Sequence, residues 1–296
     1  MPFVLKRFQA TSGKKIQHFL LEESDLSPSL LQRLLAKNRV FDDKGNTLKN
    51  GQIINSEYIE VAIFEGITRG LKAIYETDDF AVFDKPSGLM VHPTKKDTPY
   101  CLLDEIRYQF GQAADLAHRI DAETSGLVLV AKNKKASTTL KTLFENREFS
   151  KEYLAIVKGQ LKNDITIDKP ISKSSSSISI KMTCENKQGK ASTTYIQVLR
   201  FNKKDNTTLV KAIPVTGRQH QIRVHLDSIG HSILGDPLYG VDEQVTNDFL
   251  KKTLSEKDRI KLTGAKRLML HANSLYFTFQ DVQYNIVSKK KDEIFS

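Results

Sequence analysis

The sequence has no tryptophan, only two cysteines and no long hydrophobic run. With Cys101 and Cys184 alone, a disulfide framework and a four-cysteine zinc site are excluded, and neither thiol signals a redox role. The longest apolar stretches, Gly126–Ala131 and Tyr153–Val157, fall far short of the ~18 residues a membrane helix needs. The N-terminal MPFVLKRFQA lacks an apolar signal core followed by a small-residue cleavage site, so a soluble, cytoplasmic protein with no membrane partner is expected. No internal repeat is found, which argues against solenoids and propellers. Neither GxxxxGK[ST] nor a strand-borne GxGxxG occurs, and this argues against phosphoryl transfer from a nucleotide and against a dinucleotide cofactor.

What is present is a chain of 296 residues, enough for two domains at a norm of about 150 residues each. Lysine and arginine number 45 against 35 acidic residues, and the net charge of +10 suits a polyanionic partner. Residues 14–64 read as a small basic unit. Ile16, Phe19 and Leu20 have helical spacing, and Ser27-Pro28-Ser29 opens a second helix carrying Leu30, Leu31, Leu34 and Leu35. Lys15, Arg33, Lys37 and Arg39 supply positive charge, Asp43–Asn46 reads as a turn, and Tyr58–Phe64 alternates as a strand does. The stretch 65–70, with two glycines, reads as a linker, which places a first domain at residues 1–66 and a second at 67–296.

Beyond 70, short apolar strands alternate irregularly with amphipathic helices. Phe80–Phe83, Leu127–Val130, Tyr153–Val157, Thr194–Leu199, Thr208–Ile213, Leu275–Phe279 and Gln283–Val287 are strand-like, while about 135–148 and about 219–229 are helical. An α+β fold with a mixed, largely antiparallel sheet is expected. The serine-rich 172–179 reads as a mobile loop.

Four clusters carry reactive groups. His118–Gly126 sets Asp121 on a polar loop before a buried strand, a placement that serves function or merely organises a turn. Gly217–Leu226 holds His220, Arg223 and His225. The two histidines stand about 140° apart on a helix, a poor metal pair, whereas Arg223 can orient a buried carboxylate bidentately or lie on the surface. Ser150–Val157 puts Tyr153 at the start of a strand, where packing is its ordinary role. Leu234–Gly240 reads as a structural turn.

In order, HRIDAETSGLVLVAKN, SKEYLAIVKG, GRQHQIRVHL and ILGDPLYG closely resemble the successive motifs of RluA-type pseudouridine synthases, and DDFAVFDKPSGLMVHP resembles the segment that opens their catalytic domain. Ile120 and Gln219 depart from the usual residues without removing a functional group. The resemblance implies that Asp121 is the catalytic aspartate, Arg223 its salt-bridge partner, Tyr153 a platform stacking on the target base, and Arg119 a side chain that helps displace that base. It implies isomerisation of uridine to pseudouridine in RNA, with no metal, nucleotide or redox cofactor. Large-subunit ribosomal RNA is the preferred substrate and transfer RNA the runner-up. Residues 14–64 look like an S4 RNA-binding domain, a small α/β unit in which Lys15, Arg33, Lys37 and Arg39 would meet phosphates. A monomer is expected. Two rivals remain: a noncatalytic RNA-binding ribosome-assembly factor on the same scaffold, and a nucleoside hydrolase, which would release free uracil.

Overall fold

The structure is a computed structural model that describes residues 3–93 and 98–290. It divides into two compact units, Met1–Arg69 with Pro93–Gln112 and Gly70–His92 with Ala113–Ser296.

In the first unit, β1 (Phe3–Gln9) pairs antiparallel with β3 (Tyr58–Phe64), which also pairs with β2 (Val40–Phe41). Helices α1 (Ile16–Glu23) and α2 (Pro28–Ala36) cover the sheet. Ser27 accepts the Leu30 N–H through its hydroxyl and Pro28 supplies a preset φ, so α2 starts where the sequence indicates. Ile16, Phe19 and Leu20 of α1 and Leu31, Leu34 and Leu35 of α2 meet Val40, Ile59 and Val61 in one core. Each such apolar burial contributes roughly 1.5–3 kcal/mol.

The stretch 65–70 is no free linker. A Cβ on Gly66 would stand 2.5 Å from the Asp104 carbonyl oxygen and 2.6 Å from the Tyr108 nitrogen, so only glycine lets the chain lie against α3 (Leu102–Phe110). Glu105 of α3 then accepts the Thr68 hydroxyl at 2.9 Å, the Arg69 N–H, and the Tyr100 hydroxyl at 2.6 Å. These contacts carry residues 93–112 into the first unit, in contrast to the single cut after residue 66 expected from composition.

The second unit is built on a ten-stranded sheet. In chain order its elements are β4 (Ala73–Glu76), β5 (Phe80–Lys85), β6 (Asp115–Leu116), β7 (Ser125–Ala131), α4 (Lys134–Glu145), β8 (Phe149–Lys158), β9 (Ile165–Asp168), the short pair β10 (Ser172–Lys173) and β11 (Met182–Thr183), β12 (Thr193–Asn202), β13 (Thr207–Pro214), α5 (Gln221–Asp227), α6 (Glu243–Leu250), α7 (Glu256–Thr263), β14 (Leu270–Phe279) and β15 (Val282–Val287). The strands run β4-β5-β7-β14-β8-β13-β12-β9, with β15 beside β14 and β6 beside β7. Among the described residues every strand pairing of this sheet is antiparallel except β7 with β14. The α+β class is therefore observed.

β5 and β7 are buried along their whole lengths, which explains their unbroken apolar runs. Their Phe80, Val82, Leu127 and Leu129 pack with Leu275 and Phe277 of β14 under Ala136 and Leu140 of α4. At the parallel junction Gly126 takes φ +107°, and a Cβ there would lie 2.3 Å from the Ala272 carbonyl oxygen. Part of the serine-rich stretch read as loop is strand: Ser172 and Lys173 pair with Thr183 and Met182. Both expected helices end or begin at a left-handed residue, Arg147 after α4 and His220 before α5, so each is shorter than its apolar periodicity suggests.

Candidate active site

Asp121 sits on the loop between β6 and β7, and that loop is stapled to the end of β5. The buried Lys85 ammonium donates to the carbonyls of Pro86 at 3.0 Å, Leu89 at 2.8 Å and Ala122 at 2.9 Å. Ser87 donates its hydroxyl to the Glu123 carbonyl at 2.6 Å, and Gly88 N–H reaches the Ala122 carbonyl at 2.9 Å. Burial draws the Lys85 pKa down to about 7 while Glu123 and Asp121 oppose the shift. Arg259 holds Glu123 at 2.6 Å and the Gly235 carbonyl at 3.1 Å.

Asp121 opens into a cavity of about 820 Å³ that is also lined by Arg119, Lys151, Tyr153, His220 and Arg223. Its side chain is 28% exposed, and Oδ2 accepts Arg223 Nη1 at 3.0 Å. Burial pushes this carboxyl upward, but the Arg223 guanidinium prevails and holds its pKa below the usual aspartate value. Asp121 is thus an ionised group at the edge of water.

The expected bidentate grip lies elsewhere. Arg223 Nε and Nη2 each meet a carboxylate oxygen of Asp236 at 2.8 Å, and Asp121 is reached by Nη1 alone. Asp236 is fully buried, and its Oδ1 also accepts Leu238 N–H at 2.9 Å and Tyr239 N–H at 3.2 Å. The turn at 234–240 is therefore structural and also fixes the orientation of Arg223. No local pattern marks Asp236 as the partner of a residue 13 positions earlier.

Tyr153, on β8, is 7% exposed and lies opposite Ala212 of β13 and Ala272 of β14. Burial, with the nearby Asp121 charge, raises its phenol pKa, so the ring stays neutral. Two positions earlier, Lys151 lies 5.3 Å from the Phe144 ring centroid, and burial draws its pKa down to about 8. Arg119 is exposed on the cavity rim. The cavity thus unites Asp121, Tyr153, Arg223 and Arg119.

The two histidines of the second cluster have separate roles. His225 is engaged by Thr194 Oγ1 at 2.9 Å and the Lys169 carbonyl at 3.0 Å, a core arrangement, while His220 faces the cavity. Among the described residues no His, Cys, Asp or Glu group is arranged to hold a metal. A carboxylate fixed by one cation, beside a neutral aromatic face and further cations, is suited to attack or proton transfer on an anionic, base-bearing ligand.

The four remaining basic candidates lie in the first unit. Lys15, Arg33 and Lys37 are exposed, at the start of α1, on α2 and at its C-cap. Arg39 is different: its guanidinium stacks on the Phe3 ring at 3.9 Å, and partial burial lowers its pKa. Lys85 and Asp236, which hold the site together, were missed as functional residues. The signal for Lys85 is a charge that stays in the strand just beyond the apolar run Phe80–Phe83, and the signal for Asp236 is its place in the ILGDPLYG motif, read as a structural turn.

The sequence pattern described as RNA pseudouridylate synthase matches residues 79–228, just over half of the chain. An uncharacterized RNA pseudouridine synthase of Helicobacter pylori strain J99 is 35% identical over 300 aligned positions, covering 97% of this chain and 96% of that protein. The ribosomal large subunit pseudouridine synthase C of Haemophilus ducreyi is 31% identical, covering 90% of this chain and 84% of its own. Among solved structures, human RNA pseudouridylate synthase domain containing 1 superposes with a TM-score of 0.59 at 28% identity, over 76% of this chain and 86% of that one.

Proposed function

Since this chain belongs to the RNA pseudouridylate synthase family, of the RluA type, and is an RNA pseudouridine synthase, we propose that Asp121 is its catalytic carboxylate and that ribosomal RNA of the large subunit is its substrate. One observation carries the assignment of Asp121. Its carboxylate is held ionised by Arg223 at 3.0 Å, inside a cavity that also presents the buried Tyr153 ring.

The reaction breaks the N1–C1′ bond of uridine, turns the base and joins C5 to C1′. The C5 proton is lost, N1 gains one, and no electrons are exchanged with a partner. Attack of Asp121 on C1′ or on C6, and removal of the C2′ proton, all begin from an ionised carboxylate. Flipping the uridine out of stacked RNA costs a few kcal/mol, offset in part by stacking on Tyr153 and by Arg119 entering the vacated space. The ribosomal assignment rests on likeness to a relative named for that substrate. Residues 14–64 act as an S4-like RNA-binding domain, with Arg33 and Lys37 meeting phosphates.

Pseudouridine mapping of total RNA with and without the gene, and with Asp121→Asn, tests both statements. The expected result is loss of a large-subunit pseudouridine in the deletion and the Asn strain alike, with RNA binding by the purified variant retained. Turnover by Asp121→Asn would overturn the assignment of the carboxylate. A site lost from transfer RNA instead would overturn the substrate, and released uracil would favour the hydrolase.

A further inference from the structure

His220 is held by more constraints than its neighbours in the GRQHQIR segment. Its backbone takes the left-handed conformation at φ 56° and ψ 17°, uncommon for a residue with a Cβ and more readily adopted by Asn, Asp and His than by others. Its Nδ1 lies 3.0 Å from the Tyr239 hydroxyl, and the two rings meet edge to face with centroids 5.8 Å apart. Its Nε2 lies 3.9 Å from Oδ2 of Asp121.

The protons can be assigned from this chain of contacts. The Tyr239 oxygen accepts the Met182 N–H at 3.0 Å, so its own proton is free to go to His220 Nδ1. The ring hydrogen then resides on Nε2, directed at the Asp121 carboxylate, whereas the other tautomer would set a lone pair against a negative charge. The charged and titratable groups around the ring are Arg223 of α5, Asp121 of the stapled loop, and Asp236 and Tyr239 of the turn at 234–240, with Lys181 on the Tyr239 ring at 5.9 Å. Burial, and then Arg223, draws the His220 pKa down to about 4, so the ring is neutral at pH 7.

Arg223 Nη1 and His220 Nε2 both address Oδ2 of Asp121, and Oδ1 accepts no hydrogen bond among the described residues. We propose that His220 is a positioning residue that, together with Arg223, fixes Oδ2 of Asp121 and leaves Oδ1 as the oxygen that meets the uridine. The inference rests on Asp121 being the reactive carboxylate. At 3.9 Å the contact is longer than a hydrogen bond, as catalytic contacts often are before substrate is bound. A neutral donor suits this role, since it orients the carboxylate without adding a second full charge that would blunt its reactivity.

The test compares His220→Asn, His220→Gln and Tyr239→Phe by single-turnover rate at saturating RNA and by RNA affinity. Asparagine tolerates the left-handed backbone and ends level with Nδ1, so it keeps the fold while losing the reach to Asp121; glutamine returns an N–H near the Nε2 position. The expected rate loss for His220→Asn is about tenfold or more, with affinity within about twofold of wild type and most of the rate restored in His220→Gln. Tyr239→Phe, which leaves position 220 untouched, is expected to slow the saturated reaction by several-fold. A wild-type rate in His220→Asn, or equal losses in the Asn and Gln variants, would overturn the proposal. Asp121→Asn run alongside separates the two readings: if it is inactive while His220→Asn is fully active, only the role of His220 falls, whereas an active Asp121→Asn removes the assignment on which that role rests.

Discussion

The heaviest electrostatic load in the site falls on Asp236, and replacing it with asparagine separates stability from chemistry. The substitution preserves volume but removes the charge that Arg223 meets through two contacts of 2.8 Å, and the new amide would turn a donor toward Arg223 Nε or Nη2. Both groups are buried, with side-chain exposures of 3% and 0%. Breaking a buried pair by removing one partner costs about 3–5 kcal/mol, because the surviving charge stays out of water. Asp121 remains as a second counter-ion for Arg223, and the Leu238 and Tyr239 N–H groups keep an acceptor oxygen, so the lower end, roughly 3 kcal/mol, is expected here. At a urea slope near ~2 kcal/mol/M this moves the unfolding midpoint down by about 1.5 M, read by circular dichroism. Asp121→Asn, at the edge of water, should move it by about 1 kcal/mol or less. A midpoint for Asp236→Asn within about 0.5 M of wild type, an energy near 1 kcal/mol, would refute the view that this pair anchors the site.

Two further outcomes are expected. Replacing Arg33 and Lys37 together by alanine should weaken RNA binding and reduce the log-log salt slope by roughly 0.7–0.9 for each phosphate no longer neutralised, with the single-turnover rate at saturating RNA unchanged; an unaltered salt slope would remove these residues from the RNA surface. Stability should also fall with acid. Burial depresses the pKa of His118 to about 3 and those of His220 and His271 to about 4, so the folded chain stays neutral at these positions while the unfolded chain takes up protons below about 6.5. Their contribution is complete above pH 6.5 and declines toward pH 4, a loss on the order of 1–2 kcal/mol for each by pH 5; urea midpoints at pH 7.5 and 5.0 check this, and equal midpoints would refute it.

The parts of the molecule governed by local pattern were legible. β5 and β7 announce themselves as unbroken apolar runs because both faces are buried, and α2 shows its serine cap and its proline. Ordered motifs singled out Asp121, Tyr153 and Arg223 by resemblance, and the structure brings the three to one cavity. What escaped depends on encounters between distant segments. The bidentate partner of Arg223 was misassigned because composition cannot say which of two aspartates a guanidinium will face. The left-handed backbone at His220 is invisible to periodicity, and Lys85 gives no hint that its ammonium will meet the carbonyl of Ala122, 37 residues away.

The way the chain is shared between its two units bears on how such a protein can be recombined. The path enters the first unit twice, as residues 1–69 and again as 93–112, and so crosses between the units three times. A single crossover that exchanged the N-terminal segment for an unrelated module would strand α3, with Glu105 deprived of Thr68 and Arg69 and the close approach at Gly66 lost. Exchange by one breakpoint therefore carries a folding penalty in the recipient chain. The interleaving acts as a barrier to module loss, and it makes coinheritance of the N-terminal segment and α3 the expected pattern of descent.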